Sequence, residues 1–191
     1  MPIRVTNVNE LEEFDTLMRY IAVILASVFL ATMAAVGLSA VDSPVAEAAG
    51  GGAVNKCGGG KIDLSAAEKQ TFLLHNKERQ QRNLRPFCVH SKLQKIARSH
   101  SRDMVSRNYF DHYTKGSRKS PAQRATSAGY DYRYLGENIG QGLGPDAMFK
   151  AWMNSDGHRR NIVNGRFREI GIGVAGNNSR ATYTVDFGTR L

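Results

Sequence analysis

The sequence predicts an α+β domain in which helices pack on a sheet of antiparallel strands. Three observations predict it. Residues 65–107 hold two stretches with apolar side chains at helical spacing. Residues 169–187 hold two alternating stretches separated by Gly176-Asn177-Asn178-Ser179, a hairpin turn signal. Helices followed by strands, rather than alternating with them, point to α+β architecture. There is no internal repeat. Once an N-terminal segment is set aside, the chain of 191 residues has one domain's worth of sequence, enough for a sizeable core.

Tyr20 to Val41 is apolar and long enough for a membrane span of about 20 residues. Before it, Glu10, Glu12, Glu13 and Asp15 outnumber Arg4 and Arg19, the reverse of an export signal. A start at Met18 repairs this. Met18-Arg19 is then a short positive region, and Ala46-Glu47-Ala48 supplies a small-residue cleavage pattern. Residues 1–48 therefore read as a cleaved export signal or a retained anchor. Both place the remainder outside the cytoplasm. Residues 49–64, rich in Gly and Ala, read as a linker, and residues 65–191 as the domain.

The first helix is expected from Ser65 to Arg82. Ser65 with Glu68 forms a capping box, and Ala67, Thr71, Phe72, Leu73 and Leu74 form the buried stripe. His75, Asn76 and Arg79 lie near that stripe and are read as structural, bonding to nearby backbone. The second helix is expected from Ser91 to Arg107, with Leu93, Ile96, Ala97, His100 and Met104 inward. His100 is thus a core histidine, and Arg98, Arg102 and Arg107 are solvated. Tyr109 and Phe110 should bury and leave His112 at an edge. Ser120-Pro121 begins a short helix that Gly129 ends. Tyr130 to Tyr134 reads as packing rather than a stacking platform.

Gly136-Glu137-Asn138-Ile139-Gly140 suggests a tight backbone that confines one carboxylate. It lacks the lysine and the preceding apolar strand of a phosphate loop. A helix begins at Pro145 with Asp146 in its first turn and carries Trp152. Gly157 is expected to stop it, so that a turn holds His158. Near the end, Tyr183, Val185 and Phe187 share one strand face.

Charge and cysteines narrow the partners. The net charge is +9 with a pI near 9.8. Of 26 basic and 17 acidic residues, two and six fall within residues 1–48, which leaves 24 against 11, a net of +13. Such a balance attracts anionic cell-wall polymer, lipid head groups or nucleic acid, or serves solubility alone. The basic residues are scattered over both helices, which speaks against nucleic acid. Cys57 and Cys88 are too few for a cysteine framework and wrongly spaced for a zinc knuckle. In an exported protein they are most simply one disulfide, pinning the linker to the domain.

Several of these pieces, in order, carry a family resemblance. They are His75-Asn76 with Arg79, Ala97 to Met104, Tyr109-Phe110-Asp111-His112 and Gly136-Glu137-Asn138-Ile139. Trp152-Met153, Ser155, Gly157-His158-Arg159, Ile170 to Val174 and Val185-Asp186-Phe187-Gly188 follow. Together they resemble the CAP superfamily of cysteine-rich secretory, antigen 5 and pathogenesis-related 1 proteins, in its bacterial secreted branch. The resemblance implies an α-β-α sandwich with an antiparallel sheet between helices. It also implies a cleft lined by two histidines and two carboxylates, which carries over to His112, Glu137 and His158. Where animal members have a second glutamate, this chain offers Ser155 and Asp156, so Asp156 is the candidate fourth residue. Asn138 and Trp152 carry over as structural residues.

Two imidazoles and a carboxylate suit zinc or another divalent metal, although the H-E-x-x-H spacing of a metalloprotease is absent. For the family, lipid binding and signalling to proteins are better supported than shared catalysis. The reading is a monomeric, secreted or membrane-tethered binding protein of the bacterial envelope, with wall polymer, lipid or a protein as ligand. The alternative is a secreted hydrolase with His158 or His112 as base and Glu137 orienting it. Serine catalysis by Ser155 through His158 is expected to suffer from awkward geometry across a turn.

Overall fold

The computed structural model describes residues 50–191. The export signal or anchor read in residues 1–48, with its start at Met18 and cleavage after Ala48, lies outside the described residues. No helix among the described residues is long and apolar enough to cross a membrane.

The stretch read as a linker folds. β1 (Gly52–Asn55) and β2 (Lys61–Leu64) form an antiparallel hairpin. The Cys57–Cys88 disulfide ties it to β3 (Cys88–Val89), with Cα atoms 5.0 Å apart. Val54 and Leu64 bury on the main core, which gives the hairpin an apolar reason to be ordered.

α1 (Ala66–Gln81) starts at the expected capping box: Ser65 Oγ accepts from Glu68 N–H, and Glu68 Oε2 accepts from Ser65 N–H. Its inner face differs from the expected stripe. Leu73 is 40% exposed, whereas Glu68, Thr71, Phe72, His75 and Arg79 are buried. Polar groups can occupy the inside because most of them find partners. Glu68 meets Arg98 through both oxygens. Arg79 donates to the carbonyls of Arg85, Ile162, Asn164 and Phe167 at 2.8–3.1 Å and covers the Phe87 ring. Asn76 both donates to Phe87 C=O and accepts from its N–H.

α2 (Ser91–Ser106) buries the expected Leu93, Ile96, Ala97, His100 and Met104. It lies on β5 (Glu169–Ala175) and β6 (Thr182–Arg190). The approach is close: a Cβ on Gly173 would stand 2.2 Å from the Ala97 carbonyl carbon. That explains why glycine alternates with Ile170 and Ile172, whose side chains turn to the other face. There α1, α4 (Pro145–Asn154) and α5 (Asp156–Ile162) enclose a core containing Phe72, Trp152, Ile162, Ile170, Val185 and Phe187.

The sheet order is β3-β5-β6-β4, where β4 is Tyr132–Gln141. β5, β6 and β4 are antiparallel, but β3 runs parallel to β5, so the sheet is mixed at that edge. α3 (Pro121–Ser127) packs against α2 and β4 behind a Ser120/Gln123 capping box. The result is the α+β, helix–sheet–helix arrangement expected.

Candidate functional site

Glu137 sits in the middle of β4, not in a glycine loop. Gly140 belongs to that strand because a Cβ there would meet the Met148 sulfur at 2.2 Å. Close packing, rather than a turn, places glycine on this strand. The confinement expected of the carboxylate is present: the Glu137 side chain is 1% exposed.

Its two oxygens have different partners. Oε1 meets His112 Nδ1 at 2.7 Å. Oε2 accepts from the Arg124 guanidinium on α3. Arg124 also donates to His112 C=O at 2.6 Å, so it holds both the carboxylate and the histidine backbone. Sequence reasoning missed Arg124. It is one arginine among many, and only its place in α3, fixed by the Ser120 cap, marks it.

His112 lies on the loop after α2, with its side chain 43% exposed. Phe110 does not bury as expected; it is 47% exposed. The loop is anchored instead by His100, whose Nε2 pairs with Asp111 C=O at 3.0 Å, and by Tyr109, which bonds Asp103 through its hydroxyl. His100 is thus the core histidine expected.

His158 also arrives differently. Ser155, with extended ψ, ends α4, and a new helix begins at Asp156. Gly157 stops nothing; it lies inside α5, as does His158. Ser155 Oγ and His158 Nδ1 are 2.9 Å apart. The geometry expected to be awkward is satisfied because Ser155 occupies the N-cap position of the helix whose third residue is His158. Asn138 Nδ2 donates to His158 C=O at 3.1 Å, and Asn161 bridges Glu137 C=O and Asn138 Oδ1. Those bonds fix α5 to β4. Trp152 adds a bond from its indole N–H to Ile139 C=O at 2.9 Å. Burial, and then the neighbouring His112, pull the His158 imidazole below its ordinary value, so it is neutral at neutral pH.

Asp156 does not join the cleft. Its carboxylate pairs with Arg159 and is 76% exposed. Beneath Glu137 instead lies Asp186, buried and directly opposite it across the β4–β6 ladder.

The donor set tests the metal reading. His112 and His158 each have Nδ1 engaged and, among the described residues, no hydrogen bond at Nε2. Both oxygens of Glu137 already have partners. Among the described residues no three His, Cys, Asp or Glu side chains group as a metal cluster. The donor set leaves Glu137 as the carboxylate behind His112 and does not make a three-ligand zinc centre among the described residues.

A profile described as the cysteine-rich secretory protein family, CAP, matches residues 72–187. YkwD of Bacillus subtilis is 45% identical over 58% of this chain and 43% of its own length. The B. subtilis membrane protein YlbC is 34% identical over 64% of this chain and 34% of its own length. This chain therefore spans less than half the length of either relative. An extracellular SCP-domain protein of Bacillus anthracis superposes with a TM-score of 0.59 at 25% identity, over 70% of this chain and 47% of that one. An outer surface protein of Borrelia burgdorferi shares the fold, with a TM-score of 0.63 at 21% identity over 68% of this chain and 97% of that one. This chain belongs to the CAP family of cysteine-rich secretory proteins.

Proposed function

We propose that this protein is an extracellular binding module of the bacterial envelope, whose cleft presents the Nε2 atoms of His112 and His158 to a divalent metal ion or a polar ligand. The observation that carries this reading is the double engagement of Glu137. A carboxylate held by a partly buried arginine on one oxygen and an imidazole on the other orients a histidine. With both oxygens already engaged it serves to position His112 rather than to act as a free base. Likeness to an extracellular SCP-domain protein supports the location. The net charge of +13 outside residues 1–48 supports retention on anionic wall polymer or lipid.

Zinc titration by calorimetry on the purified chain tests the cleft, wild type against His112→Ala/His158→Ala. Binding of about one zinc per chain, lost in the double variant, supports it. Heat that is unchanged in the double variant overturns it. Release from cell-wall fractions by raised salt is the expected outcome for the charge reading.

One observation favours a second reading, a serine hydrolase: the 2.9 Å contact between Ser155 Oγ and His158 Nδ1. Labelling of Ser155 by a fluorophosphonate probe, abolished by His158→Ala, would establish it.

A further inference from the structure

β4 is the outer strand of the sheet, and part of its edge is bare. In an antiparallel strand the N–H and C=O of one residue point the same way, and the direction alternates along the chain. The carbonyls of Glu137 and Ile139 point away from β6, since they accept from Asn161 Nδ2 at 3.2 Å and Trp152 Nε1 at 2.9 Å. By the same alternation, Leu135 N–H, Leu135 C=O and Glu137 N–H point outward. Among the described residues none of these three has a partner. The other side of the sheet is closed. There β3 pairs with β5, and the Gln94 side-chain amide satisfies both main-chain groups of Ile172.

The bare edge opens on a hollow of about 410 Å³. Leu135, Gly136 and Glu137 line one side of it, Pro121 and Ala122 of α3 line the other, and His112 also lines it. Three successive strand residues line it, so it meets the strand's edge rather than one face. A second hollow of about 380 Å³, which shares Ala122 and Tyr132, extends the groove towards Lys119. Arg133 and Lys119 are exposed and have no acidic partner among the described residues. Glu137, the acid within the groove, is already engaged twice.

We propose that this edge takes an extended acidic polypeptide segment as an added strand. Its main chain bonds Leu135 and Glu137, and its carboxylates lie over Arg133 and Lys119. Strand addition of this kind draws affinity from main-chain bonds and selectivity from alternate side chains. A wall glycan or a lipid head group offers charge but no repeating N–H and C=O, so the bare edge favours polypeptide. The proposal does not depend on a metal at His112 and His158.

The test is fluorescence anisotropy of the full chain with a labelled peptide of alternating glutamate and valine. A second peptide has the same charges but every backbone nitrogen methylated. The first should bind, and the methylated one should bind at least about tenfold more weakly, the scale of one or two main-chain bonds. Arg133→Glu should weaken the first peptide. Amide exchange should slow at Leu135 and Glu137 when it binds. Equal binding of the two peptides, no binding of the first, or binding without that slowing each overturns the proposal. Lipoteichoic acid binding tightly while leaving both amides unprotected would assign the groove to anionic polymer instead.

Discussion

Glu137 and Asp186 stand opposite each other across the β4–β6 ladder, both buried on the sheet face that α2 covers. Glu137 is held by Arg124 and His112. Burial, and then the Glu137 charge, hold the Asp186 carboxyl well above the usual carboxylate range. Asp186 therefore holds its proton more tightly than an ordinary carboxyl, and its Oδ2 has no partner among the described residues.

This makes stability depend on pH. The native state keeps the Asp186 proton while the unfolded chain releases it near the ordinary aspartate value. The native state thus binds more protons, and stability falls as pH rises from that value towards the raised native one. Asp186→Asn keeps the shape without the proton. It should raise stability at neutral pH and flatten the slope above about pH 4. Urea unfolding of both proteins across that range checks this. Parallel pH profiles would mean Asp186 ionises normally.

His75 has the opposite slope. It is fully buried among Phe149, Trp152 and Phe187; its Nδ1 bonds Thr71 C=O and its Nε2 has no partner among the described residues. Burial pulls its imidazole down to about 4 from 6.5. The folded state refuses a proton that the unfolded state accepts. Stability should be complete above about pH 6.5 and lost on the way down to about pH 4, by about 3 kcal/mol. His75→Phe should remove this acid sensitivity, read as an unchanged denaturation midpoint between pH 7 and 5.

The Cys57–Cys88 bridge closes a sequence separation of 31. Loop-closure entropy of that length corresponds to about 3–4 kcal/mol. Cys57→Ser/Cys88→Ser should lower global stability by that order. It should loosen the β1–β2 hairpin first, seen as amide exchange rising in residues 52–64 while β4 stays protected. Loss confined to the hairpin, with no global change, would show that the bridge serves only that element.

The residues that announced themselves were those with local rules. Ser65 with Glu68, Ser120 with Pro121, the α2 stripe and the alternating β5 and β6 segments all formed as read. β4 was hidden because its glycines look like turn residues, whereas Gly140 is there to admit Met148. α5 was hidden because Gly157 sits where a helix stop is expected, although the break falls at Ser155. The cleft histidines and Glu137 came from the ordered motifs. Arg124 and Asp186 did not, since an ion pair across α3 and β4 and a cross-strand acid pair leave no local pattern.

The Arg124–Glu137 pair should prove worth more broken than absent. Both side chains are largely withdrawn from water, so removing either one leaves an uncompensated charge, at a cost of about 3–5 kcal/mol. Arg124→Met and Glu137→Met should each destabilise on that scale, while the double variant should cost far less than their sum. The cycle should give a coupling energy at the upper end of about 0.5–3 kcal/mol. His112 supplies a second readout, because Arg124 holds its carbonyl and Glu137 its ring. Its ring resonances should shift in either single variant, and zinc affinity should fall even though neither substitution touches Nε2. Additive energies with unmoved His112 resonances would reduce Arg124 to an ordinary surface arginine and leave Glu137 alone behind the histidine.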